Sequence, residues 1–566
     1  MTGVAAAAST RLERWTADRV ADRLWARDGS LWAESGKAPE EIARWLGWLD
    51  LPEAMTARVP ELEHLARDVR EDGYRRAAVL GMGGSSLAPE LFTRVFGWAG
   101  GEGSTGAASA DGLELRVLDS THPDAVRGFR SWAGEQRTLF CVSSKSGSTT
   151  EPNAFHAAMG AIAPALDFVA ITDPGTPLAD LARAQEFRAI VEAPADVGGR
   201  YSALTVFGLV PAALTGVDLG GLLERARGMA SACREPDAAV NPGLRLGAAI
   251  GEAALEGRDK LTILTSPRLA AFGDWAEQLM AESTGKAGRG VVPIVGEPIG
   301  EPRAYGEDRV FVSLRLGDEA NDDAWAAFVE AMRTRDSLLE EIVLDGPLDV
   351  GAEFIRWEVA TAAAGIVLGI DPFDQPNVQE SKDATTELLE AYRVRGALPQ
   401  PGPLVSEAGT AVSADPAAIG DTPVTVDGAI GQLLSLLVPG RDYFAILAYL
   451  PQDSEITERL QRVRARIRDA LGVATTLGFG PRFLHSTGQL HKGGPDTGVF
   501  LQITADPAKD LPIPGWTESF GTLIAAQALG DLASLQRRGR RALRVDLAEA
   551  GDGLARLEAM IDAALR

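Results

Sequence analysis

Two well-separated stretches carry the residue types of a phosphate cradle, Gly81-Met82-Gly83-Gly84-Ser85-Ser86 and Ser143-Ser144-Lys145-Ser146-Gly147-Ser148-Thr149-Thr150. Each follows a short apolar run and precedes a helix-like pattern. In that strand–loop–helix layout backbone N–H groups and the positive helix end meet an anion. The first loop lacks the third glycine of a dinucleotide fingerprint and alone reads equally as a tight turn. The second places a lysine among hydroxyls, which a turn or helix cap does not need, so it reads as a phosphate site. The segment Ser283-Thr284-Gly285-Lys286 has no upstream glycine and is not a nucleotide P-loop.

Other candidates follow along the chain. Asp196-Val197-Gly198-Gly199-Arg200-Tyr201-Ser202 pairs flexible glycines with a planar cation. Gln278 and Glu282 stand four apart on a helix-like run and share a face, so Glu282 could act as a carboxylate base or be a solvated helix end. Lys382 closes the stretch Phe373–Lys382 and reads locally as a surface lysine. His485-Ser486-Thr487-Gly488-Gln489-Leu490-His491-Lys492 holds two of the five histidines. Histidine is the side chain suited to proton transfer near neutral pH. His485 is expected to be a satisfied structural histidine and His491 the functional one. His64, His122 and His156 are dispersed, and no metal-ligand spacing occurs.

The elements that must position these groups alternate between strand and helix. Residues 1 to about 70 read as helical, with apolar residues at helical spacing from Leu24 through Leu46. Strands are predicted at Ala77–Leu80, Leu113–Leu118, Leu139–Val142, Phe168–Thr172 and Ala189–Val191. A second alternating block begins near Pro242, with strands at Leu261–Leu264, Val291–Val295 and Val310–Leu314 and helices around Trp275 and over Val350–Leu368. Gly396–Gly428 reads as a long surface connection. A third block has strands near Tyr443–Leu447, Val499–Ile503 and Leu543–Leu547. Such alternation favours an α/β fold with parallel sheets, in which ligands bind at the carboxyl ends of strands.

The chain has 566 residues, enough for about three to four domains at roughly 100–200 residues each, and 45% hydrophobic residues, ordinary for a globular protein. Its 55 basic and 79 acidic residues give a net charge of −24, which disfavours nucleic acid and anionic membranes as partners. Two cysteines, Cys141 and Cys233, make no disulfide framework or metal pattern. The first ten residues lack a signal-peptide pattern and no apolar run is long enough to span a bilayer, so a cytoplasmic enzyme or binding protein is expected.

Taken together, residues 75 to 540 resemble the glucose-6-phosphate isomerase family, built from two SIS sugar-phosphate domains. Asp196–Gly208 and Gly369–Lys382 resemble its two signatures, and Glu282-Ser283-Thr284-Gly285-Lys286 its glutamate motif. The last two are closest to the form of this enzyme found fused to transaldolase, although no room is evident for a barrel of about 250 residues. The resemblance implies two SIS-type doubly wound parallel-sheet domains, at 71–235 and 236–395. A helical segment (1–70) precedes them, and a linker and C-terminal α/β block (396–566) follows, with the option that it completes the second SIS domain.

The resemblance also implies residue roles. Gly84, Ser85, Ser144, Lys145, Ser146 and Thr149 match the phosphate loops, and Gln278 and Gln375 match glutamines near the phosphate. Arg200 matches the arginine near the enediolate, Glu282 the base working between C2 and C1, and Lys382 with His491 the ring-opening pair. No cofactor or metal is implied, the substrate is a hexose 6-phosphate, and a homodimer is consistent with the family. Asn377 and Gln379 depart from the second signature, which has glycine and glutamate there. The family also places its histidine segment before its lysine segment and takes that histidine from the neighbouring subunit, whereas here Lys382 precedes His491. Mannose 6-phosphate as a second substrate and a non-catalytic sugar-phosphate sensor are the rival expectations.

Overall fold

The computed structural model describes residues 3–97, 112–319, 323–399, 402–420 and 423–566. These form three sheets. The first, of β1 (Arg76–Gly81), β2 (Glu114–Leu118), β3 (Thr138–Ser143), β4 (Phe168–Thr172) and β5 (Ala189–Glu192), has the order β2-β1-β3-β4-β5 and is parallel throughout. Strands β1 and β3 are buried at every position, as expected of strands covered on both faces. The order reverses between β1 and β3, and a doubly wound sheet opens its ligand crevice at such a switch point. Gly81 pairs with Ser143 across that boundary, so the two serine-bearing loops leave adjacent strand ends.

The second sheet, β6 (Lys260–Thr265), β7 (Val292–Val295), β8 (Arg309–Leu316) and β9 (Leu338–Leu344), is parallel in the order β7-β6-β8-β9. The third contains β10 (Val405–Glu407), β11 (Thr410–Ala414), β12 (Tyr443–Tyr449), β13 (Ala474–Phe479), β14 (Gly498–Ala505) and β15 (Arg541–Leu547), ordered β10-β11-β15-β14-β12-β13. Its β12 to β15 are mutually parallel, and the β10–β11 hairpin adds antiparallel to β15. That hairpin corrects the reading of Gly396–Gly428 as plain connection. Its alternation is short and lies among turn-forming residues, and its pairing to β15 is a long-range event.

The N-terminal helices pack on the first two blocks as one apolar core. Trp32 meets Phe373 edge-on at 5.1 Å and Trp48 stacks on Tyr201 at 5.3 Å, contacts of about 0.5–1.5 kcal/mol each beyond area burial. They brace the backbones that carry Arg200 and Gln375. The third sheet has a separate core. It is tied to the second sheet by buried Glu297, which receives Arg309 at 2.5 Å and Thr475 Oγ1 at 2.7 Å. Among the described residues no helix is long and apolar enough to cross a membrane.

Candidate active site

A cavity of about 560 Å³ opens at the carboxyl ends of β1 and β3. Its lining contains every residue singled out from the sequence except His491: Gly84, Ser85, Ser144, Lys145, Ser146, Thr149, Arg200, Gln278, Glu282, Gln375 and Lys382. It also contains His485.

The serine-rich end is built by turns. Ser144 Oγ donates to Thr149 Oγ1 at 3.0 Å and accepts from the Gly147 amide at 3.1 Å. Gly147 has φ 66°, a left-handed conformation that costs glycine least. Lys145 is ion-paired with Asp173 and lies 5.7 Å from the Trp45 ring. The first loop crosses very close to the arginine loop, since a Cβ on Gly84 would fall 1.9 Å from the Gly199 carbonyl oxygen. Only glycine permits that approach.

The other end holds a buried ion pair. Arg200 Nη1 lies 3.6 Å from Glu282 Oε1, with both side chains below one-tenth exposure. Arg200 is fixed from every side. Its Nε donates to Ser283 Oγ at 2.7 Å, its Nη1 to Gln375 Oε1 at 3.1 Å, and its Nη2 to the carbonyls of Pro372 and Asp374 at 2.6 and 2.8 Å. Lys286 supports the same loop, donating to the Asp371 and Asp374 carbonyls at 2.7 and 2.6 Å. Burial, with the Arg200 charge, lowers the Lys286 ammonium to about 8. Burial raises Glu282 above the ordinary carboxylate range, and the Arg200 charge opposes that rise. Gln278, one turn earlier on the helix Ala270–Thr284, donates to Glu282 Oε2 at 3.2 Å and to the His485 carbonyl at 2.7 Å.

The two histidines lie the other way round from the sequence expectation, with His485 at the cavity and His491 in a core. His491 is 2% exposed, and neither ring nitrogen has a hydrogen-bond partner. It lies among Phe500, Phe483 and Tyr443, with centroids 5.1, 6.1 and 6.3 Å away. Burial holds its proton affinity far below the usual histidine range, so it stays neutral and away from the cavity. His485 instead ends a helical turn, Arg482–His485, at the cavity wall. Its Nε2 lies 3.1 Å from Glu151 Oε1, and Gln527 Nε2 donates to that same oxygen at 2.7 Å. Burial would raise Glu151, but the His485 charge and hydrogen bond outweigh it and hold the carboxyl low. Glu151 follows the serine-rich loop directly, but nothing in the local sequence marks it as a histidine partner. Lys382 is exposed near the start of the helix Pro376–Arg395 and lines the cavity beside His485.

Buried Gln278 Oε1, Ser143 Oγ and Asp173 Oδ1, all at the cavity, have no hydrogen-bond partner among the described residues. Buried polar atoms are ordinarily paired, so Gln278 Oε1 and Asp173 Oδ1 are places that accept from ligand hydroxyls, and Ser143 Oγ can also donate to an anionic oxygen. The chemistry available is phosphate anchoring at one end, and a buried carboxylate with an arginine and a carboxylate-paired histidine at the other.

Parallel sheets with serine-rich loops at the switch point define a sugar-isomerase (SIS) type of α/β protein. The fold is shared with a glucose-6-phosphate isomerase structure from Chlamydia trachomatis, at TM-score 0.53 and 19% identity over 68% of this chain and 86% of that one. It is also shared with a hypothetical protein of Thermus thermophilus, at TM-score 0.53 and 23% identity over 69% and 97%. In sequence, the glucose-6-phosphate isomerase of Rubrobacter xylanophilus is 30% identical over 393 residues, 60% of this chain and 88% of the relative. That of Carboxydothermus hydrogenoformans is 29% identical over 402 residues, 61% and 85%. No family model matches the chain. The chain belongs to the glucose-6-phosphate isomerase family.

Proposed function

We propose that the protein interconverts glucose 6-phosphate and fructose 6-phosphate, the aldose–ketose step shared by glycolysis and gluconeogenesis. The observation that carries this reading is the buried Glu282 facing Arg200 at 3.6 Å in the cavity that also holds the serine-rich loop. Ser144, Lys145, Ser146 and Thr149 take the phosphate, with Gly84, Ser85, Gln278 and Gln375 around it. Binding energy at that end holds C1 and C2 against Glu282.

The closed sugar opens first. A proton is delivered to the ring oxygen and one is taken from the C1 hydroxyl, which leaves a C1 aldehyde. His485, oriented by Glu151, performs this transfer with Lys382 beside it. Glu282 then removes the proton from C2. The C–H electron pair forms the C1–C2 double bond, and the carbonyl pair moves onto O1. Arg200, a permanent cation, stabilises that oxyanion without surrendering a proton. The O2 proton then passes to O1, and return of the Glu282 proton to C1 as the C2–O2 carbonyl forms gives the ketose with the carboxylate restored. The scheme draws every group from one chain, so it does not require the homodimer that the family resemblance implies. A cytoplasmic site of action fits a hexose phosphate substrate.

A coupled assay for fructose 6-phosphate tests the reading. Glu282→Gln should lower kcat by at least about 10²–10⁴-fold, the usual share of a general base, with binding of a substrate analogue retained. Tight sugar-phosphate binding without ketose formation by the wild-type chain would make it a sensor instead.

A further inference from the structure

A second cavity, of about 460 Å³, lies on the third sheet and shares no lining residue with the first. It too sits at a switch point. The order β15-β14-β12-β13 reverses between β12 and β14, and the cavity is lined by their carboxyl ends, Tyr449 on β12 with Thr504 and Ala505 on β14. Register places Tyr449, Thr504, Asp546 and Ala411 side by side across four strands. Two residues back, Arg544 and Ser413 face the same way. The opposite wall is one face of the helix Phe520–Arg537, formed by Gly521, Ile524, Ala525, Ala528 and Leu529. Its three small side chains keep the space open.

Three buried groups of the lining, on Arg544, Thr410 and Tyr449 (its hydroxyl), carry a polar atom with no hydrogen-bond partner among the described residues. Arg544, 6% exposed, commits its Nε to Asp546 at 2.7 Å and its Nη2 to the same oxygen at 2.5 Å, but Nη1 has no partner. Thr410, 1% exposed, has no partner for Oγ1. Asp546 neutralises Arg544, and exposed Asp506 adds a negative charge at the rim. This balance disfavours a phosphate or carboxylate ligand. It suits hydroxyls, which can accept from a guanidinium and donate to a carboxylate, while the small-residue wall packs against C–H groups. We propose that this cavity binds a neutral polyol of monosaccharide size, independently of the active site.

The test uses the full chain with its active site saturated by hexose phosphate. Glucose, fructose and inositol serve as neutral probes and inorganic phosphate and glycerate as anionic ones, followed by ligand-observed NMR and calorimetry. A neutral polyol should bind under these conditions. Thr410→Val should weaken it about tenfold, the scale of one hydrogen bond. Ala525→Leu, which fills the cavity without altering charge, should abolish binding and leave isomerisation unchanged. Both variants must keep the wild-type circular dichroism and Tm, and wild-type isomerisation in Ala525→Leu independently reports its folding. The proposal is overturned if no polyol binds at about 10 mM, a concentration that fills a site with a Kd of about 1 mM or tighter. It is also overturned if hexose phosphate competes the polyol away, if Ala525→Leu binds it as wild type does, or if the anions bind in preference.

Discussion

Two opposed fields act on the Glu282 carboxyl. Burial raises it and the Arg200 cation opposes that rise. As a base it must be ionised, so turnover is lost as pH falls through its raised pKa. Removing the cation favours the protonated form further. Arg200→Gln should therefore move the acid limb of kcat/KM to higher pH and lower kcat by roughly 10²–10³-fold, as expected when an oxyanion donor is removed. Full pH–rate profiles of both proteins check this, and a stationary limb would assign that limb to another group. The residue types at this scale were legible in the sequence. Spacing put Gln278 and Glu282 on one face and Arg200 after paired glycines, but it left Glu282 as either a base or a solvated helix end, and the family resemblance singled these residues out. The histidine was not legible. His485 and His491 lie in one short segment with similar polar neighbours, and only the direction each ring takes separates a cavity residue from a core residue.

Among elements, the short turn Arg482–His485 is held chiefly through its first residue. Arg482 Nη1 meets Glu90 at 2.6 Å and Asp119 at 3.2 Å, and Nη2 lies 3.6 Å from Asp274. These partners belong to the first two blocks. Arg482→Ala should free the turn and slow enzyme-catalysed anomerisation of glucose 6-phosphate as well as isomerisation, with Arg482→Lys partly restoring both. Glu282→Gln should spare anomerisation, which separates ring opening from proton transfer between carbons. His491→Leu should keep kcat and should not lower Tm. It removes two unpaired buried nitrogens, and each unsatisfied group costs about 1–3 kcal/mol. Loss of kcat in His491→Leu with intact folding would return the proton-transfer role to that residue. The strand cores β1, β3, β4, β6, β8, β12, β14 and β15 were readable as apolar runs between turn residues. Strands β9 and β13 and the β10–β11 hairpin were not. Exposed Glu341 and Val343 interrupt the first, Thr475 and Thr476 dilute the second, and the hairpin exists through its pairing to β15.

For the whole molecule, the third block is more than an appendage, because it carries His485 to a cavity otherwise built by the first two and Gln527 to the Glu151 carboxylate behind it. Since one chain supplies every group, specific activity should stay constant on dilution through any dissociation of subunits. Progress curves beside sedimentation at matched concentrations test this. A fall in activity that tracks dissociation would mean that a second copy completes the site.

The sequence by itself determined the local chemistry: the two serine-rich loops, the carboxylate and arginine motifs, and the alternation that demands parallel sheets. These follow from neighbouring residues and from periodicity, which act over a few positions of chain. The tertiary structure decided which loops share a crevice, because β1 and β3 become adjacent only through strand order. It also decided which histidine reaches that crevice, because the orientation of a short turn is set by salt bridges to residues hundreds of positions away.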